Sequence, residues 1–134
     1  MSGAHKLKML VVEDDPFLIK FYKAKLEKRN FVVFCSPDGG RALSVAQEEK
    51  PDLVLLDIGL PGKSGFDVLK ELKAHAETRE IPVFLVTKSA EERDRKKGEE
   101  LGAEEYIVKM EASFNDMMQR ITEYFETSPA KKQD

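Results

Sequence analysis

Leu53-Val-Leu-Leu-Asp57-Ile-Gly-Leu-Pro-Gly-Lys-Ser-Gly65 is the stretch on which the fold turns. A run of strand-type apolar side chains stops on a carboxylate, and a loop rich in glycine and proline follows. The same arrangement recurs along the chain. Lys8-Met-Leu-Val-Val12 runs into Glu13-Asp14-Asp15, Val83-Phe-Leu-Val86 ends on Thr87, and Tyr106-Ile-Val108 ends on Lys109. Phe31-Val-Val-Phe-Cys35 reads as one further strand, and Pro82 as the start of the strand that reaches Thr87.

Helical patterns fill the gaps between these strands. Asp15-Pro16 is a helix start, with a carboxylate to cap free N–H groups and proline in the first turn, and Leu18, Tyr22 and Leu26 follow at helical spacing. Asp38-Gly-Gly40 opens a helix through Ala42, Leu43 and Ala46 that stops before Pro51; Phe66, Leu69 and Leu72 form the stripe of the next. Ala90 to Leu101 reads as helical although almost wholly charged, and Gly102 ends it. Phe114, Met117, Met118, Ile121 and Phe125 line a closing helix. Strands that alternate with helices imply an α/β fold, a doubly wound five-stranded parallel sheet flanked by five helices, because parallel crossovers need a connecting element of fixed hand. Pattern alone leaves the strand order open. Every such order still gathers the carboxyl ends of the strands on one edge, where Glu13, Asp14, Asp57, Thr87 and Lys109 would meet.

The 134 residues suffice for one domain, and 41% hydrophobic content fits a globular, soluble protein. Residues 1–7 are expected to be a disordered start, 8–126 the domain and 127–134 a flexible tail. A net charge of −3 gives no electrostatic case for nucleic acid or an anionic membrane. Apolar runs fall short of a bilayer span, the N-terminus lacks a signal-peptide core, and Cys35 has no second cysteine to pair with, so a cytoplasmic location is expected. His5 and His75 read as surface residues.

Three carboxylates brought together repel by roughly 4 kcal/mol per close pair at an intermediate dielectric, so the cluster either protonates or takes a cation. An all-oxygen set suits Mg²⁺, which keeps several waters. The acidic triplet has a plainer reading as a helix-capping turn, and Asp15 retains that role. Asp57 follows the most apolar strand, where a carboxylate is costly unless the position requires it. As a nucleophile it would form an acyl phosphate, with Lys109 neutralising the transferred oxygens and the Thr87 hydroxyl donating to one of them.

In these motifs the chain resembles the receiver domain of two-component response regulators from about Lys8 to Phe125. VVEDDP matches its acidic pair, LVLLDIGLPGKSGFDVL the acceptor region, IPVFLVT the hydroxyl position, and LGAEEYIVK the aromatic and lysine. The resemblance implies the flavodoxin-like strand order 2-1-3-4-5 and a stand-alone, phosphorylation-activated switch rather than an enzyme. It implies Mg²⁺ or Mn²⁺ held by Glu13 through water, by Asp14 and Asp57 directly and by the Gly59 carbonyl. Asp57 would take phosphate from a sensor histidine kinase or a histidine phosphotransfer protein. Thr87 and Tyr106 would form the switch, and Gly59, Lys88 and Ser89 would control access.

Lys88 stands where the family usually has a small residue, and Met110 where it usually has a proline after the lysine. Output is expected through the face of the fourth helix, fifth strand and fifth helix toward a protein target. The charges of Lys96 and Glu99 there argue for a monomer. Other readings are a receiver excised from a longer regulator or hybrid kinase, and a flavin- or nucleotide-binding domain, although no glycine-rich loop follows the first strand. A hydrolase forming an aspartyl phosphate would place its acceptor after the first strand, not the third.

Overall fold

The computed structural model describes residues 6–127, so residues 1–5 and 128–134, including His5 and most of the expected tail, lie outside it. Five strands, β1 (Lys8–Val12), β2 (Val32–Ser36), β3 (Leu53–Leu56), β4 (Val83–Thr87) and β5 (Glu105–Val108), form one parallel sheet in the order β2-β1-β3-β4-β5. Helices α1 (Pro16–Lys28), α2 (Ala42–Glu49), α3 (Gly65–Ala74), α4 (Glu92–Glu100) and α5 (Phe114–Thr127) alternate with them. No helix among the described residues is long and apolar enough to cross a membrane.

Successive side chains of a strand point to opposite faces, and here both faces are apolar because both are covered. Leu10, Val12, Val54, Leu56 and Leu85 pack with α2 and α3 on one side. Met9, Val11, Leu55, Phe84 and Ile107 pack with α1 and α5 on the other. The chain leaves β1 for β2 on one flank and returns to β3 on the other, so β1 and β3 bound the crevice where the winding reverses. Val12 pairs with Leu56, which brings the residues after both strands to that point.

Boundaries depart from the sequence reading where a hydrogen bond overrides the apolar pattern. Phe31 is not in β2; its N–H bonds the Leu26 carbonyl and finishes the turn after α1, so the strand runs one residue further, to Ser36. α4 begins at Glu92 rather than Ala90, because the Ser89 hydroxyl accepts the Glu91 N–H and the Glu91 carbonyl accepts those of Asp94 and Arg95. Leu7, placed in the expected disordered start, accepts the Val32 N–H through its carbonyl, and Thr127, placed in the expected tail, is the last residue of α5.

Caps fix the two helix starts beside the crevice. Asp15 Oδ1 accepts the Phe17 N–H at 2.9 Å with Pro16 in the first turn of α1, and Ser64 Oγ accepts the Asp67 N–H at 3.3 Å at the start of α3. Gly65 brings α3 against the acceptor loop: its N–H bonds the Ile58 carbonyl at 3.1 Å, and a Cβ there would stand 2.3 Å from the Asp57 carbonyl oxygen. Gly65→Ala must therefore push α3 and the residue 57–58 backbone apart. Overpacking of this kind costs about 3 kcal/mol, so the urea midpoint is expected to fall well below that of the wild type. An unchanged midpoint would show that α3 shifts freely.

Candidate functional site

All five strand-end residues singled out in the sequence converge on the carboxyl edge of the sheet. The Asp57 N–H donates to the Val12 carbonyl at 3.1 Å, tying the end of β3 to β1, and the Lys109 N–H donates to the Thr87 carbonyl at 2.7 Å, tying β5 to β4. Glu13, Asp14, Asp15, Asp57, Gly59, Thr87, Lys88 and Lys109 line a shared cleft of about 390 Å³.

Lys109 organises its charges. Nζ lies 2.9 Å from Glu13 Oε1 and 3.5 Å from Asp57 Oδ2, with both lysine and acids largely shielded from solvent. The Glu13 Oε2 accepts the Asp15 N–H at 3.2 Å, and the Asp57 Oδ1 accepts the Gly59 N–H at 3.0 Å. Each of these two carboxylates is thus pinned by one backbone amide and by the lysine. Burial pushes the Glu13 carboxyl above the usual carboxylate range, with the nearby Asp57 charge adding to the rise and the Lys109 hydrogen bond opposing it. Burial works to lower Lys109, but the Glu13 hydrogen bond and the Asp57 charge outweigh it and hold the ammonium above its ordinary value.

One ammonium faces three carboxylates. Oxygens of Glu13, Asp14 and Asp57 all lie within 4.8 Å of one another, and Asp14 opens to solvent. Hard carboxylate oxygens with an open side fit Mg²⁺ or Mn²⁺, which bind through a few carboxylates and retain water. The three carboxylates could hold such an ion. Asp15, also on the cleft lining, caps α1 as expected of it.

The remaining candidates divide. Thr87 is buried at the edge of the cleft, where its Oγ1 accepts the Ser89 N–H at 3.3 Å. Lys88 is exposed on the lining, and Gly59 sits beside the acceptor. Ser89 is not among the residues lining the cleft; its hydroxyl donates to Asp94 Oδ2 at 2.6 Å, and its carbonyl accepts the Tyr106 hydroxyl at 2.9 Å. The Tyr106 ring points inward and is 5% exposed, and burial raises its phenol above the ordinary value. Met110 is exposed and follows Lys109 through a trans bond. His75 caps the end of α3 at the surface, its Nδ1 2.8 Å from the Glu71 carbonyl oxygen.

Sequence reading did not find Arg95, whose guanidinium stacks 4.9 Å from the centre of the Tyr106 ring. The available signal was a helix without apolar residues that still had to be held on a sheet. Tyr22, read only as core, lines an apolar groove beside Lys109, and burial raises its phenol, with Glu13 and Asp57 contributing.

Removing the lysine leaves a buried Glu13 without its counter-charge, a loss of about 3 kcal/mol for a shielded ion pair. Lys109→Met is therefore expected to lower the melting temperature, and 10 mM Mg²⁺ (a concentration of roughly the order that exposes ligand linkage) is expected to raise it more in the variant than in the wild type. A melting temperature indifferent to Mg²⁺ in both chains would remove the cation site.

A model of the response regulator receiver domain matches residues 9–122. Protein PilH of Pseudomonas aeruginosa is 39% identical over 102 residues, spanning 76% of this chain and 84% of that protein. The BeF3-activated N-terminal receiver domain of Klebsiella pneumoniae RstA is 36% identical with a TM-score of 0.79, over 86% of this chain and 95% of that one. The chemotaxis protein CheY4 of Vibrio cholerae superposes with a TM-score of 0.83 over 89% of this chain and 98% of its own, at 21% identity, a likeness of fold. The strand order and the acidic cleft thus agree with an independent match across most of the sequence, and the chain belongs to the response regulator receiver domain family, the signalling switches of two-component systems.

Proposed function

We propose that this chain is a phosphorylation-activated switch in which Asp57 accepts a phosphoryl group from the phosphohistidine of a sensor kinase or a phosphotransfer protein. The observation that carries the reading is the placement of the Asp57 carboxylate at the end of a buried strand, pinned by the Gly59 amide and Lys109, within reach of Glu13 and Asp14. A carboxylate so held is oriented for in-line attack. An Asp57 oxygen forms the new bond to phosphorus, the bond to the donor imidazole nitrogen breaks, and its electron pair leaves with the imidazole.

Glu13 (through a bound water), Asp14, Asp57 and the Gly59 carbonyl would hold Mg²⁺ or Mn²⁺. When bound, that ion supplies charge neutralisation for the phosphoryl oxygens and a template for their orientation. Lys109 would neutralise the transferred oxygens, a reading supported by its ammonium lying 3.5 Å from the Asp57 carboxylate and 2.9 Å from Glu13. Thr87 turns its hydroxyl to one of those oxygens. Lys88, exposed on the cleft wall, gates the approach of small phosphodonors, and Ser89 acts behind it through the loop it anchors. Thr87 and Tyr106 change position together, which alters the α4-β5-α5 face read by a downstream protein.

The chain works as a cytoplasmic monomer that binds neither nucleic acid nor membrane. Lys96 and Glu99 are exposed on α4, and burying them against a second copy would cost several kcal/mol per ion without well-placed partners. It assists its own phosphorylation and dephosphorylation without acting on a separate substrate.

Incubation with acetyl phosphate and Mg²⁺ is expected to add one phosphoryl group by intact mass, and Asp57→Asn to add none. Labelling that persists in Asp57→Asn would assign the acceptor elsewhere. In the same assay Lys88→Ala is expected to label and to lose its label faster than the wild type by about threefold, on the scale of a modest steric or electrostatic barrier. Equal rates would remove Lys88 from the mechanism.

A further inference from the structure

Helix α4 is held on the domain without a hydrophobic face. Gly98 is its one buried residue, and the remainder of Glu92–Glu100 is charged. A helix that is polar nearly all round, and this short, is not stable by itself and depends on other tertiary contacts. Those contacts are few, and most of them converge on Tyr106 or on the Ser89 that it bonds.

A Cβ built on Gly98 would lie 2.7 Å from Leu85 Cδ1 and 3.4 Å from Tyr106 Cδ2, so the bare helix backbone rests on one leucine and on the tyrosine ring. Arg95 lies on the same side of the helix, one turn earlier. Its guanidinium stacks over that ring at 4.9 Å, and its Nη1 donates a long hydrogen bond of 3.4 Å to the Tyr106 carbonyl. Asp94 accepts the Ser89 hydroxyl at 2.6 Å, while the Ser89 carbonyl accepts the Tyr106 hydroxyl at 2.9 Å. Lys97 over Phe66, at 4.7 Å, adds a tie to α3 that does not involve Tyr106.

We propose that Arg95 is a positioning residue that clamps the Tyr106 ring inward, and that the ring so clamped is what docks α4 on the sheet. The inference rests on the reading that Tyr106 turns during signalling. An outward turn takes away the π face that Arg95 covers, the surface against which Gly98 lies and the hydroxyl bound to Ser89, all in one motion. Arg95 then has a second partner ready. Glu92, one turn earlier, already lies 3.9 Å from its Nε. The released state therefore leaves no orphaned charge, and helix and ring exchange between two arrangements rather than deform gradually. Output in this chain is the docking of α4 itself.

Hydrogen exchange of the full chain, read by mass spectrometry, tests the clamp. Arg95→Met, which keeps length but loses the stacking cation, is expected to exchange α4 amides about tenfold faster, the size expected of local opening on loss of one such anchor, with the central strands unchanged. Arg95→Lys, which keeps charge but not the planar stack, provides a second folded variant and is expected to fall between. NMR couplings are expected to show the Tyr106 ring shifted outward in Arg95→Met, a change that a purely structural role for Arg95 would not produce. Exchange of α4 within twofold of the wild type, or faster exchange with the ring still inward, overturns the proposal. Labelling of wild-type Asp57 by acetyl phosphate is scored separately: its failure sinks the phosphoacceptor reading, whereas normal labelling with an unresponsive α4 sinks only the clamp.

Discussion

The ion pair that joins Lys109 to Glu13 and Asp57 closes the carboxyl edge of the sheet. Glu13 comes from the end of β1, Asp57 from the end of β3 and Lys109 from the end of β5, so one ammonium holds together segments far apart in sequence and separated by β4. Parallel strands end with carbonyls and loops on a single side, and carboxylates gathered there would repel. The lysine offsets part of that repulsion but not all of it, since Asp14 adds a third negative charge. What remains is a pre-organised deficit of positive charge at a solvent-open point, which is what a divalent ion and a phosphoryl group together require.

Much of this was legible in the sequence because the residues that matter stand at the ends of apolar runs. Val12 to Glu13, Leu56 to Asp57, Val86 to Thr87 and Val108 to Lys109 each mark an abrupt change from buried to reactive, and the parallel winding converts four such changes into one site. The resemblance fixed the strand order that the pattern left open. The errors were local. Phe31 looked like strand because it is apolar, yet its amide is used to finish α1; Ala90 looked like helix because of its composition, yet Glu91 is the N-cap and its own amide is taken by the Ser89 hydroxyl. Both depend on where a single N–H finds its partner, which periodicity does not encode.

The pairing of Arg95 with Tyr106 lay beyond the sequence for a different reason. Their contact spans two elements, and nothing in Glu92-Arg-Asp-Arg-Lys-Lys-Gly98 distinguishes the stacking arginine from its exposed neighbours. Only the absence was visible, a helix with nothing apolar to bury. Ser89 illustrates the same limit. The resemblance placed it on the access path, and its contacts, with its amide on Thr87, its carbonyl on Tyr106 and its hydroxyl on Asp94, could not be read from the sequence.

The contrast between α4 and its neighbours shows how a rigid site and a responsive surface coexist in one small domain. α3 buries Phe66, Val68, Leu69 and Leu72, and α5 buries Met117, Met118 and Ile121, each such side chain contributing about 2 kcal/mol on burial. α4 has no comparable anchor and relies on stacking and hydrogen bonds that are individually weaker and depend on geometry. Apolar packing tolerates small shifts because it has no direction; a cation over a ring, or a hydroxyl on one carbonyl, is lost when its partner turns. An element attached mainly by directional contacts, most of them around one aromatic side chain, is therefore sensitive to the position of that side chain. The central strands, by contrast, are held by apolar clusters on both faces of the sheet.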